Sequence, residues 1–276
     1  MDIIKAILFG IIEGITEWMP ISSTAHMDIL NRFMPLSVTE DFYEVFEVVI
    51  QLGAILALLI VFWKKIWPFP GNRNEKGIFA LIKKDKFYLW VNIVIACLPA
   101  IIYELFLDDV FTFVTPANKM TIIGISLILV GFVFLVVESI VRNRKPSIES
   151  TAKLTVVHAL IIGLAQLVAA IFPGVSRSGA TIIAALLLGV SRTAAVEFTF
   201  ELAIPVMFGA SLMKILKYSG AISFYEILIL LTGCISAFIV SLFIIRFVLN
   251  YIKKHTFSIF GIYRILMGII VLTLLR

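Results

Sequence analysis

Long apolar runs separated by short polar connections occupy almost the whole chain. Six of them, 42–63, 88–107, 119–141, 194–217, 224–250 and 257–275, approach or exceed the ~20 residues an α-helix needs to cross a bilayer. The pattern predicts an all-α integral membrane protein, one domain over 1–276, with no stretch left for a soluble domain. Two further apolar stretches, 1–34 and 154–190, are interrupted by Pro20 and Pro173. Each reads as a helix, a break and a second short helix, a re-entrant hairpin that enters and leaves on one side. Non-helical backbone at membrane depth requires protein or water to satisfy its polar groups.

Composition agrees with the pattern. Hydrophobic residues make up 61% of the chain and charged residues 15%, with a mean hydropathy of +1.08, which excludes a soluble protein. Lys5 inside the first apolar run, with no small-residue cleavage site after it, argues against a cleavable signal. Cys97 and Cys234 fall within predicted spans, where a thiol behaves as a small apolar group rather than as half of a disulfide.

The net charge of +5 is gathered at span ends rather than spread over a nucleic-acid-binding face. Residues 64–87 carry Lys64, Lys65, Arg73, Lys76, Lys83, Lys84 and Lys86 against Glu75 and Asp85. Arg142, Arg144, Lys145 and Lys153 form a second group, and Lys253 and Lys254 a third. Basic loops belong on the cytoplasmic side, and the segment beginning Asp108-Asp109 then lies on the other.

That assignment turns the chain into two halves of opposite orientation. Each half has three spans, an odd number, after its hairpin. Shifted by 153, Gly10 falls on Gly163, Glu13 on Gln166, Pro20 on Pro173 and Ser23 on Ser176. Phe46-Glu47 matches Phe200-Glu201 at an offset of 154, and Gly124 and Gly131 match Gly261 and Gly268 at 137. The expectation is an inverted repeat, 1–145 and 150–276, each half a re-entrant hairpin plus three transmembrane helices. The hairpin tips then meet near the midplane and bring Glu13, Glu17 and His26 beside Arg177.

Ionisable groups at that depth cost at least ~2.5–3.5 kcal/mol each, so they mark function. Glu13 and Glu17, spaced i, i+4, lie on one helical face, and a divalent cation such as Mg²⁺ or Ca²⁺ shared with a phosphate oxygen relieves their repulsion. Ser22 or Ser23 caps the following helix. Ser23 and His26, one turn apart, suit an activated nucleophile, and either the hydroxyl or the imidazole could take the phosphoryl group. Ser22 and Thr24 are neighbouring substrate-binding candidates. In the second hairpin Ser176, Arg177, Ser178 and Thr181 surround a glycine-flanked turn at a helix start, an anion-binding arrangement in which Arg grips phosphate through two bonds. Glu47 and Glu201 either line the cavity or cap spans, while His158 reads as interfacial and His255 as solvated. The sum is phosphoryl transfer on a lipid-anchored substrate.

Two segments, Glu13-Gly-Ile-Thr-Glu17-Trp-Met-Pro20-Ile-Ser22-Ser23-Thr24-Ala25-His26 and Pro173-Gly-Val-Ser176-Arg177-Ser178-Gly179-Ala-Thr181, closely resemble the signatures of the bacterial undecaprenyl-diphosphate phosphatases, the bacitracin-resistance proteins. The resemblance extends over the whole chain, with one small departure at Ala25, where relatives often carry glycine. It implies hydrolysis of undecaprenyl diphosphate to the monophosphate and phosphate, which recycles the lipid carrier for peptidoglycan synthesis. It also implies divalent-cation dependence, residence in the bacterial inner membrane and a site open to the extracytoplasmic side. Carried onto this chain, Glu13 and Glu17 hold the metal or assist acid–base chemistry, and Ser23 or His26 supplies the nucleophile. Arg177, with Ser176 and Thr181, holds the diphosphate. The partners expected are the polyprenyl diphosphate and the bilayer, with a homodimer left open. The competing reading is a transporter or flippase of polyprenyl phosphate, an architecture that also uses broken helices at mid-membrane.

Overall fold

A computed structural model describes residues 1–69, 83–107 and 113–274. The acidic pair Asp108-Asp109 and the residues Arg73, Glu75 and Lys76 lie outside the described residues. Eleven α-helices are described: α1 Asp2–Thr16, α2 Ser23–Phe33, α3 Glu40–Val49, α4 Gln51–Ile66, α5 Lys84–Phe106, α6 Lys119–Val141, α7 Val156–Ile171, α8 Arg177–Leu187, α9 Arg192–Lys217, α10 Phe224–Ile252 and α11 Ser258–Leu274.

Among the described residues, five helical stretches are long and apolar enough to cross a membrane: Glu40–Ile66, which joins α3 and α4, and then α5, α6, α9 and α10. They coincide with five of the six expected spans. The sixth is α11, whose 17 residues sit at the short end of the ~17–25 that suffice. The protein is thus a multi-pass, all-helical membrane protein.

Each of the two proline-containing segments forms a helix, a break and a second helix, and the ends of each come together. At the first, Ser37 donates its backbone N–H to Asp2 Oδ1 at 3.1 Å, and Lys5 donates to the Pro35 carbonyl, so the start of α1 meets the chain leaving α2. At the second, Ser147 N–H donates to Gly189 O at 2.9 Å and Ser191 N–H to Ile148 O at 2.7 Å. The short segment that begins at Ser147 leads into α7 and touches the exit of α8.

Glycines set how closely these helices approach. A Cβ on Gly10 of α1 would stand 2.3 Å from the Gly233 carbonyl of α10, and one on Gly163 of α7 would stand 2.4 Å from the Ala96 carbonyl of α5. Real Cβ atoms do not come so near, so the two offset-153 glycines do the same work against different partners. The glycines of α6 and α11 pack against each other: a Cβ on Gly131 would be 2.7 Å from Gly261 O, and one on Gly268 would be 2.6 Å from Gly124 O. Buried Glu138 fixes the far end of that pair. It is ion-paired with Arg192, whose Nε lies 2.9 Å from Oε1, and it accepts the Phe257 N–H at 2.8 Å. This anchoring sets α11 at a depth where Arg264 enters the protein interior.

A candidate phosphate site between two broken helices

The break after α1 follows from Pro20, which has no N–H for a helical bond and crowds the preceding turn. Trp18, fully buried, packs edge-on against Phe200 of α9 with ring centroids 4.9 Å apart and holds the break in place. The chain re-enters helix at Ser22, which has φ +75° and accepts the Ala25 N–H as N-cap. The second break ends in the same way at Ser176, with φ +71° and the Gly179 N–H as donor. Left-handed backbone at a residue with a Cβ costs of order 1–3 kcal/mol and persists only where its surroundings impose it.

The two capping serines correct the sequence alignment of the hairpins. Counted from the caps, Ser22 corresponds to Ser176 at an offset of 154, because the second loop holds one residue more after its proline. Ser23 therefore takes the position of Arg177 rather than that of Ser176. Each is the first residue of its helix, and both converge on one carboxylate. Ser23 Oγ donates to Glu17 Oε2 at 2.6 Å, and Arg177 Nη2 donates to Glu17 Oε1 at 2.7 Å. Glu17 thus spans the two hairpins.

These groups face a cavity of about 600 Å³ walled by Glu17, Ser22, Ser23 and Thr24 from one hairpin and by Ser176, Arg177 and Ser178 from the other. Helices α2 and α8 both aim their N-termini at it. Among the described residues, no acceptor takes the backbone N–H groups of Ser23, Thr24, Arg177 or Ser178. Two helix N-termini with free donors, beside a guanidinium, form a concave anion site. Lys119, bonded to Asp28 at 2.7 Å, adds a second cation to the wall, and Tyr103 and Gln51 add polar edges.

Three expected site residues stand off the cavity wall. His26 contacts the Ser22 carbonyl through Nδ1 at 2.7 Å and the Tyr263 hydroxyl through Nε2 at 2.7 Å, while Ser23 bonds to Glu17 instead. The expected hydroxyl–imidazole pair is therefore not formed, because the helix turns the Ser23 side chain back toward α1. Thr181, fully buried, spends its hydroxyl on Arg177 O, Ser178 O and Thr199 Oγ1 at 3.0, 3.2 and 2.9 Å. It braces the turn that carries Arg177 rather than facing the cavity. Glu13 is buried one turn below Glu17, and both of its carboxylate oxygens lack a partner among the described residues.

Other expectations sort out similarly. Arg177 pairs with Glu17 and also donates to Thr199 O at 3.1 Å, whereas Glu197 is taken by Lys65 at 2.6 Å. Glu47 lines a neighbouring cavity with Oε1 unpartnered, and Glu201 is buried with Oε2 unpartnered. His158 bonds to Thr155 at the start of α7, and His255 stacks on Tyr251 at 4.2 Å.

Arg264 was not anticipated. It is fully buried on α11 and donates Nη1 to Pro20 O at 3.0 Å and Nη2 to Gly174 O and Val175 O at 2.7 and 2.9 Å. One guanidinium thereby ties the tips of both hairpins together. The signal was present: Arg264 is the one charge within 257–275, and an arginine inside a membrane span is rarely without a role. Tyr263, Lys119 and Thr199 were also missed, since a tyrosine, a lysine at a span end and a threonine inside a span are common in any membrane helix.

The chain as a whole is similar to known proteins. A family model described as bacitracin resistance protein BacA matches residues 6–270. The chain is 49% identical over 272 residues to an undecaprenyl-diphosphatase of Desulfitobacterium hafniense, a match covering 99% of this chain and 95% of the relative. It is 50% identical over 272 residues to undecaprenyl-diphosphatase 1 of Clostridium acetobutylicum, covering 99% and 97%. An undecaprenyl-diphosphatase of Enterococcus faecalis is 47% identical over 272 residues, covering 99% and 96%.

Proposed function

The chain belongs to the bacitracin resistance protein BacA family, and on that premise we propose that it is a bacterial membrane phosphatase that hydrolyses undecaprenyl diphosphate to undecaprenyl phosphate and inorganic phosphate. The observation that carries the reading is Glu17, placed between the hydroxyl of Ser23 and the guanidinium of Arg177 at the wall of a cavity with two helix N-termini. The transporter reading is not favoured, because the relatives named above are called diphosphatases.

In this reading Arg177 and the free N–H groups of α2 and α8 bind the terminal phosphate and stabilise the charge that spreads over its oxygens in the transition state. Ser23 is the nucleophile. Its proton already points at Glu17 Oε2, which accepts it as Oγ bonds to the terminal phosphorus and the bond to the bridging oxygen breaks. Undecaprenyl phosphate leaves with the proton that Glu17 took; water then attacks the phosphoserine, and Glu17 takes the water proton and returns it to Oγ as the P–Oγ bond breaks, which releases phosphate and restores the hydroxyl. His26 acts by holding the start of α2 between the Ser22 carbonyl and Tyr263.

A divalent cation fits the acidic face. The two unpartnered oxygens of buried Glu13, one turn from Glu17, are the kind of orphaned group that a bound ion explains. Mg²⁺ commonly takes one or two carboxylates and completes its shell with phosphate oxygens and water. Among the described residues no group of three acidic, His or Cys side chains forms a metal cage, in keeping with such a substrate-completed site. Glu13 and Glu17 would hold the cation, which would neutralise charge on the diphosphate. Chelation with excess EDTA is expected to abolish phosphate release by purified protein and added Mg²⁺ or Ca²⁺ to restore it; full activity in EDTA would remove the cation from the scheme.

The inverted-repeat reading rests on paired features: the two positive-φ serine caps, Gly10 and Gly163 in matching close contacts, and the α6–α11 glycine pairs. With Lys64, Lys65, Arg142 and Lys145 in the cytoplasm, the cavity, lined by Glu44, Tyr103 and Lys119 at the opposite span ends, opens to the extracytoplasmic side of the inner membrane. The product is then the lipid carrier needed again for peptidoglycan synthesis.

The experiment is phosphate release from undecaprenyl diphosphate by detergent-purified protein and its Ser23→Ala and His26→Ala variants. Ser23→Ala is expected to lose about 10³-fold or more in kcat, the scale on which nucleophile removal acts. His26→Ala is expected to lose only about 10–100-fold, the cost of a slightly misplaced reacting group. A larger loss in His26→Ala than in Ser23→Ala would exchange their roles, and wild-type protein that releases no phosphate would end the phosphatase reading.

A further inference from the structure

We infer that the hollow where α6 and α10 end and α9 begins binds the headgroup phosphate of an anionic phospholipid in the cytoplasmic leaflet, a role beyond the phosphatase reading, with which it shares only the membrane orientation. The hollow has a volume of about 250 Å³. Its wall carries four cations, Arg144, Lys145, Arg192 and Lys253, and no carboxylate. The cavities on the opposite face differ, since Glu17 and Glu44 line one and Asp28, Glu40, Glu44 and Glu47 the other. A concave wall of one sign focuses its field on whatever enters. The side chains of Arg144 and Lys145 have no ion pair or hydrogen bond among the described residues, and Lys253 reaches Asn250 Oδ1 only at 3.5 Å.

Neighbouring groups hold the hollow in shape. Buried Glu138 engages Arg192 through Nε and Nη2, which fixes the guanidinium and leaves Nη1 without an acceptor among the described residues. The exit of α8 is pinned to the segment before α7: a Cβ on Gly189, whose φ is +82°, would stand 2.7 Å from Ser147 Oγ. Helix α9 starts in the wall with the Ser191 side chain as its cap. Among the described residues the backbone N–H groups of Arg192 and Thr193 have no acceptor. Free donors at a helix start favour a phosphate, and the cations beside them add charge-assisted bonds. The floor is apolar, with Val190 and Ile252 buried beneath the charged groups.

A phospholipid headgroup fits where larger anions do not. The volume of 250 Å³ falls below the ~300–1,000 Å³ of a typical small-molecule site, which suits a phosphate with a short polar group better than a nucleotide. The hollow lies at the cytoplasmic ends of α6 and α10, the depth at which headgroups sit. Ile140 and Leu187, each one residue from a member of the wall, are 41% and 49% exposed. Acyl chains can follow that apolar surface while the phosphate stays among the cations. Basic pockets between membrane helices on this side are where anionic headgroups bind. Occupancy also bears on the fold, because the Glu138 that holds Arg192 accepts the Phe257 N–H ahead of α11.

The test is native mass spectrometry of the full chain in a neutral detergent. Added phosphatidylglycerol is expected to be retained as a single molecule per chain and to raise the thermal midpoint, as a ligand selective for the folded state must. Phosphatidylcholine should do neither. The triple variant Arg144→Gln, Lys145→Gln, Lys253→Gln should retain phosphatidylglycerol about tenfold less tightly or weaker still, three interfacial cations being lost. The control Lys64→Gln, Lys83→Gln, Lys84→Gln removes the same charge elsewhere on that face and should retain it as wild type does. Equal retention by wild type and the first variant, or an equal loss in both variants, overturns the pocket. Equal retention of phosphatidylcholine overturns it too, as does displacement of the lipid by inorganic phosphate. A second readout needs no variant: phosphatidylglycerol with a diazirine in its headgroup should label within 141–146 and 189–193, and labelling confined to other segments overturns the proposal. Neither readout uses phosphate release, so the outcome is separate from that of the phosphatase reading.

Discussion

Arg177→Ala is expected to lower kcat/KM for undecaprenyl diphosphate by about 10³-fold or more, the range in which single donors to a transferring phosphoryl group act. Two separate losses combine. The phosphate loses a planar, two-pronged donor at a site whose other donors are backbone N–H groups, and Glu17 loses the ion pair that orients Oε1 while Oε2 receives the Ser23 proton. Arg177→Lys should recover little, no more than about a tenth of wild-type activity. An ammonium is a point donor, and it cannot hold Glu17 and phosphate in one plane while reaching Thr199 O as well. Steady-state phosphate release measures both variants. Arg177→Ala within tenfold of wild type would separate the guanidinium from the reaction and leave it a structural strut.

The second large effect is expected at a residue that touches no substrate. Arg264→Met should lower kcat by about 10²-fold while helical content by circular dichroism stays the same. Its three hydrogen bonds join the Pro20 carbonyl of one hairpin to Gly174 and Val175 of the other. Without them, three buried acceptors lose their partner, at ~1–3 kcal/mol each. Against this, the variant no longer buries a guanidinium that has no carboxylate partner among the described residues, and removing such a charge is itself favourable. The two terms oppose, so the thermal midpoint should fall only modestly. Catalysis has no such offset. Ser23 and Arg177 start the helices that follow these two tips, and a displacement of ~1 Å at a reacting group can cost ~10² in rate. Arg264→Lys should fail similarly, because one ammonium cannot reach both tips in the geometry of a fork. A kcat near wild type in Arg264→Met would show that the hairpin tips hold their register without it.

Much of this protein is legible in its sequence because the bilayer is a demanding solvent. It tolerates no unsatisfied backbone and few charges, so run length alone placed the spans, and Pro20 and Pro173 placed the breaks. The matched glycines read in the sequence as marks of a repeat, and the structure places them at close helix contacts. What pattern reading could not supply was register. Aligning the two hairpins on their prolines set Ser23 against Ser176, and only the capping geometry revealed the extra residue and put Ser23 opposite Arg177. The offset of 154 at Phe46 and Phe200 had already contained that insertion.

By itself the chain determined that it is a helical membrane protein with two Pro-broken, hydroxyl-rich segments and which side chains bear charge within them, because composition and spacing act locally along the backbone. The tertiary structure alone decided that Ser23 bonds to Glu17 and not to His26, that Thr181 and Glu13 stand behind the cavity, and that Arg264 fastens both tips. Those outcomes depend on which faces of distant helices pack together, and helical spacing fixes a face without naming its neighbour.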